Sequence, residues 1–75
     1  MLYNLRIGNT RYTGITMEQC IATIRKKHDK ITAAGIVPDY LIKARLITLE
    51  PDTVALRYYD NTGKVYLSIN RTVKQ

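Results

Sequence analysis

The chain is 75 residues long, enough for one domain spanning 1–75 but short enough to bury only about 60% of its unfolded surface, so its core is thin. Twelve basic residues against six acidic ones leave a net charge of +6. A single cysteine excludes a disulfide framework, and no apolar run reaches the length of a membrane span.

On so small a surface, this charge favours a polyanionic partner: nucleic acid or an acidic protein surface. All six aromatic rings are tyrosines, which suit half-wet positions. The opening MLYNLRIGNTRYTG lacks the basic-then-apolar layout of a signal peptide, so a soluble, cytoplasmic protein with no membrane partner is expected.

From Leu2 to Ile7 the chain alternates, with Tyr3, Leu5 and Ile7 on one side and Leu2, Asn4 and Arg6 on the other, the pattern of a strand. Gly8-Asn9 offers a turn, and Thr10 to Thr13 reads as a second short extended piece. Thr16 to Gly35 is predicted to be one helix. Met17, Cys20, Ile21, Ile24, His28 and Ile31 form its apolar stripe, Thr16 and Gln19 match a capping box, and Gly35 suits the C-terminal cap. Cys20 is expected to be a buried, inert thiol. His28 is expected to be partly buried and hydrogen-bonded to a neighbour. Arg25, Lys26 and Lys27 spread through about 200° of arc, leaving only Lys26 and Lys30 aligned on the opposite face.

Beyond Pro38, two readings compete. Tyr40, Ile42, Ala44, Leu46 and Thr48 alternate with Leu41, Lys43, Arg45, Ile47 and Leu49, which favours a long strand closed by a turn at Pro51-Asp52. The alternative is a second helix over Pro38 to Leu46. Thr53 to Asn70 reads as a hairpin around Asp60-Asn61-Thr62-Gly63. A four-residue loop pairs Tyr59 with Lys64, Arg57 with Tyr66 and Leu56 with Leu67, keeping one face dry. The tail from Arg71 to Gln75 is expected to fray.

The predicted fold is α+β: a single helix packed on a small antiparallel sheet in the order β-(β)-α-β-β-β. Its outer sheet face would collect Arg6, Lys43, Arg45, Arg57, Tyr59, Lys64, Tyr66 and Ser68, cations for phosphate and rings for bases. Lys26 and Lys30 form a secondary candidate. The residues Ala33 to Leu41 also resemble the turn of a helix-turn-helix, with Gly35 at the turn and Ile36 and Leu41 packing. That resemblance implies a DNA-binding fold with the later hairpin as a wing, and it departs from the pattern at Lys30 and Ile31.

One histidine and one cysteine supply too few ligands for a usual zinc site, and the carboxylates are scattered over caps and turns. No nucleophile–base pair is visible, so no catalytic residue, metal or cofactor is expected. The leading expectation is a small, basic, non-enzymatic nucleic-acid-binding module, for DNA or RNA. The alternative is a protein-interaction module, an inhibitor or adaptor such as phages and mobile elements encode, docking on an acidic or nucleic-acid-binding partner. It would dock through the same sheet face or through an exposed strand edge at Leu2 to Ile7. A third reading makes the domain one half of a homodimer.

Overall fold

The computed structural model describes residues 2–49 and 55–72. It is a small α+β fold with three helices on one face of a four-stranded antiparallel sheet. The elements are β1 (Tyr3–Ile7), β2 (Thr10–Ile15), α1 (Met17–Lys26), α2 (His28–Ala33), α3 (Tyr40–Leu49), β3 (Ala55–Tyr59) and β4 (Val65–Arg71). The strand order is β2-β1-β4-β3, so β1 and β4 are central and join the two hairpins, β1–β2 and β3–β4. An exposed edge at Leu2 to Ile7 is therefore not present: β1 is paired on both sides, and the edges are β2 and β3. The alternation read from the sequence holds. Tyr3, Leu5 and Ile7 are buried, and they meet Leu67 and Ile69 across the strand pair in the same layer.

The capping box at the start of α1 forms as expected. The Gln19 N–H donates to Thr16 Oγ1 (3.2 Å), and the Thr16 N–H donates to Gln19 Oε1 (2.9 Å). Met17, Cys20, Ile21, Ile24 and Ile31 are buried, as their spacing requires. The single helix is not continuous, however. Lys27 adopts φ −101°, ψ 14°, dividing it into α1 and α2. His28, which opens α2, is exposed, not part of the dry stripe. The space beneath the break belongs to Tyr40, which is fully buried and shares a hydrogen bond with His28 Nδ1. A buried phenol needs a partner, and His28 supplies it from the rim of the core.

Tyr40 to Leu49 is a helix, so the strand expected there is corrected. Tyr40, Ala44 and Ile47 are buried at helical spacing, while Ile42, Leu46 and Leu49 repeat that spacing on the outside. With apolar residues on both sides, periods of 2 and 3.6 fit the sequence equally well. Asp39 starts the helix: its carbonyl accepts from the Ile42 and Lys43 N–H groups (both 3.2 Å), and its carboxylate pairs with Lys43 Nζ at 3.4 Å. The second helix of the helix-turn-helix resemblance is present, with Gly35 at the turn and Ile36 buried. The hairpin, by contrast, is half of the main sheet and not a separate wing.

Over most of its length the β3–β4 register is shifted by two residues from the expected one, so Leu56 faces Ile69 and Arg57 faces Ser68; at Tyr59, which faces Val65, the shift is one. A shift of two preserves which side chains share a face, and the dry face survives. A bulge between Tyr58 and Tyr59 places the extra residue on β4. Asp60 organises the turn: its Oδ1 accepts from the Thr62 N–H (2.9 Å), the Thr62 hydroxyl (2.6 Å) and the Lys64 N–H (3.0 Å). Arg71 belongs to β4, and the Thr72 N–H donates to the Leu2 carbonyl (2.9 Å), so these two residues are not frayed. The turn expected at Pro51-Asp52, the start of the expected hairpin at Thr53 and the last three tail residues lie outside the described residues.

One contact ties the helical layer to the far end of the sheet. After α2, the Ile36 N–H donates to the Ile31 carbonyl (3.4 Å) and the Gly35 N–H to the Thr32 carbonyl (3.0 Å), the paired bonds of a Schellman cap. Gly35 has φ 90°, and a Cβ there would lie 2.0 Å from Asn61 Oδ1. The Asn61 N–H in turn donates to the Ala34 carbonyl (3.1 Å), satisfying a helix-end acceptor. Gly35→Ala is therefore expected to destabilise by about 2 kcal/mol, and Gly63→Ala, where nothing lies within 4 Å, by about 1 kcal/mol. Denaturant unfolding of the two variants checks that ranking.

Candidate nucleic-acid interface

The helices cover one sheet face, and alternation sends the remaining side chains to the other. Because Tyr3, Leu5 and Ile7 point inward, Asn4 and Arg6 of β1 point outward. In register with Arg6 lie Arg11 of β2 on one side and Ser68 of β4 on the other, and Ser68 in turn faces Arg57 of β3. Arg11, Arg6, Ser68 and Arg57 thus form one row across the whole sheet, about 14 Å long at ordinary strand spacing. Asn4 and Asn70 form a second, shorter row beside it. Between the rows is a cleft of 290 Å³ lined in part by Asn4, Arg6, Arg11, Ser68 and Asn70.

The face has a one-sided electrostatic character. The four strands contain no Asp or Glu, so nothing on them neutralises the guanidiniums. Arg6 and Arg11 stand directly opposite each other, a like-charge pair that destabilises a sheet by a few tenths of a kcal/mol up to about 1 kcal/mol.

Several of these side chains are held in place. The bulge on β4 leaves the Val65 carbonyl to the Arg6 guanidinium, which donates to it at 2.6 Å. Asn4 Oδ1 accepts from the Gly14 N–H (3.2 Å) at the irregular part of the β1–β2 pair. Arg11 and Arg57 are exposed. Tyr59 alternates with the inward Tyr58, so it shares the outer face with Arg57, and it is 58% exposed. Tyr66 is half-buried with its ring over Gly8. Lys64 is exposed in the hairpin loop.

The predicted site is therefore only partly assembled. Arg6, Arg57, Tyr59, Lys64, Tyr66 and Ser68 belong to the sheet and its hairpin loop. Lys43 and Arg45 sit on α3, which packs on the opposite sheet face, and they leave the site because Tyr40–Leu49 is a helix. Lys26 and Lys30 fall on different helices, separated by the break at Lys27. Sequence reasoning missed Arg11, Asn4 and Asn70. Their signal was the Gly8-Asn9 turn between two alternating stretches, which puts Arg11 across from Arg6 once the hairpin is accepted.

Among the described residues, no group of three His, Cys, Asp or Glu side chains could hold a metal ion. No described helix is long and apolar enough to cross a membrane. Hydrogen bonds from the Thr62 hydroxyl and the Lys64 N–H hold the Asp60 carboxyl below its usual range. Compared with protein-family models, curated proteins and solved structures, the chain matches none of them.

Three groups that titrate at high pH, Cys20, Tyr58 and Tyr40, shift the same way. Burial pushes the Cys20 thiol from 9.0 to about 11. Burial, reinforced by the nearby Asp39 carboxylate, pushes Tyr58 from 10.0 to about 12. Burial also raises Tyr40, with Asp29 adding to it. A raised acid holds its proton longer in the folded state, so the unfolded chain ionises first. The stabilisation is complete below pH 9 and is lost as the pH rises through 11. The thermal midpoint is expected to stay level up to pH 9 and then fall, with Cys20→Ala delaying the fall until Tyr58 takes over above pH 10. Differential scanning fluorimetry across that range checks the sign. At pH 8, a thiol reagent should modify Cys20 only when denaturant is added.

Proposed function

We propose that this protein is a small, non-enzymatic binding module whose open sheet face receives single-stranded nucleic acid. The observation that carries the reading is the direct juxtaposition of Arg6 and Arg11 on four strands that contain no carboxylate. Two arginines paired in register without a carboxylate on the strands are unfavourable in the free protein, and a phosphate reached by both side chains would turn that repulsion into charge-assisted hydrogen bonds. Arg57 extends the track to the far edge of the sheet. Arg6, already held by the Val65 carbonyl, gives it a fixed centre.

A sheet face open to solvent suits a single strand, whose bases are free to lie on it, better than a duplex, whose major groove takes a helix or a two-stranded ribbon. Tyr59 is the exposed ring on which a base can stack, and Asn4, Ser68 and Asn70 are short hydrogen-bonding groups beside the track. The second helix of the helix-turn-helix resemblance fits a groove poorly, since its outward side carries Ile42, Leu46 and Leu49. Lys43, Arg45, Lys26, Lys30 and Lys64 add to the net charge of +6, which speeds encounter with a polyanion from a distance.

Binding of fluorescein-labelled oligo(dT) and oligo(U) of about 12 nucleotides, titrated by anisotropy from about 25 to 200 mM salt, tests this reading. The wild type should bind with a steep salt dependence. Arg11→Ala combined with Arg57→Ala should lower the slope of log K against log salt by about 1.4, two phosphate contacts on a single strand. Tyr59→Ala should weaken binding by about tenfold with little change in that slope. Absence of binding at the lowest salt, or an unchanged slope in the double arginine variant, would overturn the proposal.

A further inference from the structure

The outer side of α3 is apolar, an anomaly that the sheet-face reading leaves unused. Ile42 is 69% exposed, Leu46 37% and Leu49 73%, three large aliphatic side chains in one stripe on a ten-residue helix. They sit at i, i+4 and i+7, the spacing by which one helix meets another. The inward side of the same helix already carries Tyr40, Ala44 and Ile47, so folding of this chain does not require the second stripe. A small, thin-cored domain that leaves three aliphatics in water retains an aggregation hazard unless something covers them.

The stripe forms one wall of a groove of 390 Å³ lined by Arg25, Leu41, Ile42, Arg45, Leu46 and Leu49. Arg25 comes from α1 and the rest from α3, so the groove runs between two packed helices. Among the described residues its charged lining groups are the two guanidiniums, and no described carboxylate reaches it. Asp39, the described acidic residue nearest the start of α3, is engaged with Lys43.

We infer that this groove docks an acidic amphipathic helix of a partner protein. The aliphatic side chains of that helix would seat on Ile42, Leu46 and Leu49, and its flanking carboxylates would pair with Arg25 and Arg45. Charge complementarity selects this occupant over a second copy of the chain. A twofold contact would press Arg25 and Arg45 against the same residues of the copy in an apolar setting, between two molecules each carrying +6. A nucleic acid has no apolar stripe to offer these side chains. The contact covers about three helical turns, well below a standard interface, so the expected affinity is micromolar. The surface lies on the opposite side of the sheet from the arginine row, and neither proposal depends on the other.

Three labelled peptides of about 14 residues test the inference by anisotropy: an acidic one with leucines at helical spacing and glutamates elsewhere, its lysine counterpart, and a scrambled acidic one with no apolar side. The acidic amphipathic peptide should bind at micromolar concentration and the other two at least tenfold more weakly. Ile42→Ser combined with Leu49→Ser, both exposed and so leaving the thermal midpoint nearly unchanged, should weaken that binding at least tenfold. Arg25→Glu combined with Arg45→Glu should reverse the preference toward the lysine peptide. Equal binding of the amphipathic and scrambled acidic peptides, binding of none, or affinity unchanged in the serine variant would each overturn the inference. So would a concentration-dependent dimer, seen by light scattering and abolished by the serine pair, because a second copy would then occupy the groove.

Discussion

The pairing of β1 with β4 is the constraint on which the rest of the molecule depends. It joins strands from the two ends of the chain, Tyr3 meeting Arg71 and Ile7 meeting Leu67, and so converts two separate hairpins into one four-stranded sheet. An isolated hairpin is marginal in water, whereas a sheet with a dry face under helices is not. The dry face is built at this seam. Tyr3, Leu5, Ile7, Leu67 and Ile69 are all nearly or fully buried, and each is worth about 1.5–3 kcal/mol for complete burial. Against that layer pack the stripe of α1 and the Tyr40, Ala44 and Ile47 side of α3.

Putting all helices on one side of the sheet has a direct consequence for binding. The uncovered side must present whatever alternates with the core residues, and here those positions are arginine, asparagine and serine, with no acid on any strand. Three arginines, Arg6, Arg11 and Arg57, are set on this face by the same period of two that buries Leu5 and Ile7. The cross-strand register then decides which charges meet, bringing Arg6 and Arg11 together and placing Arg57 at the far edge. On the other side, α3 completes the core with one of its two apolar stripes and leaves the second in solvent. One fold thus offers two chemically distinct surfaces, a polar cationic sheet and an apolar groove rimmed by arginine.

Polar contacts join the helices to one another and to the sheet, among them the Arg71 guanidinium of β4 donating to the Ile47 carbonyl of α3. The Tyr40 hydroxyl, fully buried, reaches His28 at the break between α1 and α2. The Asn61 N–H reaches the Ala34 carbonyl, with Gly35 leaving room for the Asn61 side chain. These contacts satisfy groups that burial or a helix end would otherwise leave without partners, so they fix position as well as contributing energy.

Local sequence determined whatever depends on neighbours within a few residues. The capping box at Thr16 and Gln19, the left-handed Gly35, the inward set Tyr3, Leu5 and Ile7, and the faces of the β3–β4 hairpin were all legible, since caps, turns and alternation are short-range physics. So was the part of the candidate site on those strands, Arg6, Arg57 and Tyr59. Tertiary structure decided the rest. Tyr40–Leu49 is apolar at both helical and strand periods, and only the demand for a buried Tyr40, Ala44 and Ile47 over the sheet selects the helix, which removes Lys43 and Arg45 from the site. His28 fits the apolar stripe by spacing, yet Tyr40 fills the core beneath it and leaves the histidine at the rim. The central place of β1 rests on a partner 60 or more residues away in the chain, and only that pairing brings Ser68 and Arg57 into one row with Arg6 and Arg11. Periodicity identifies which side chains share a face; long-range packing determines what that face meets.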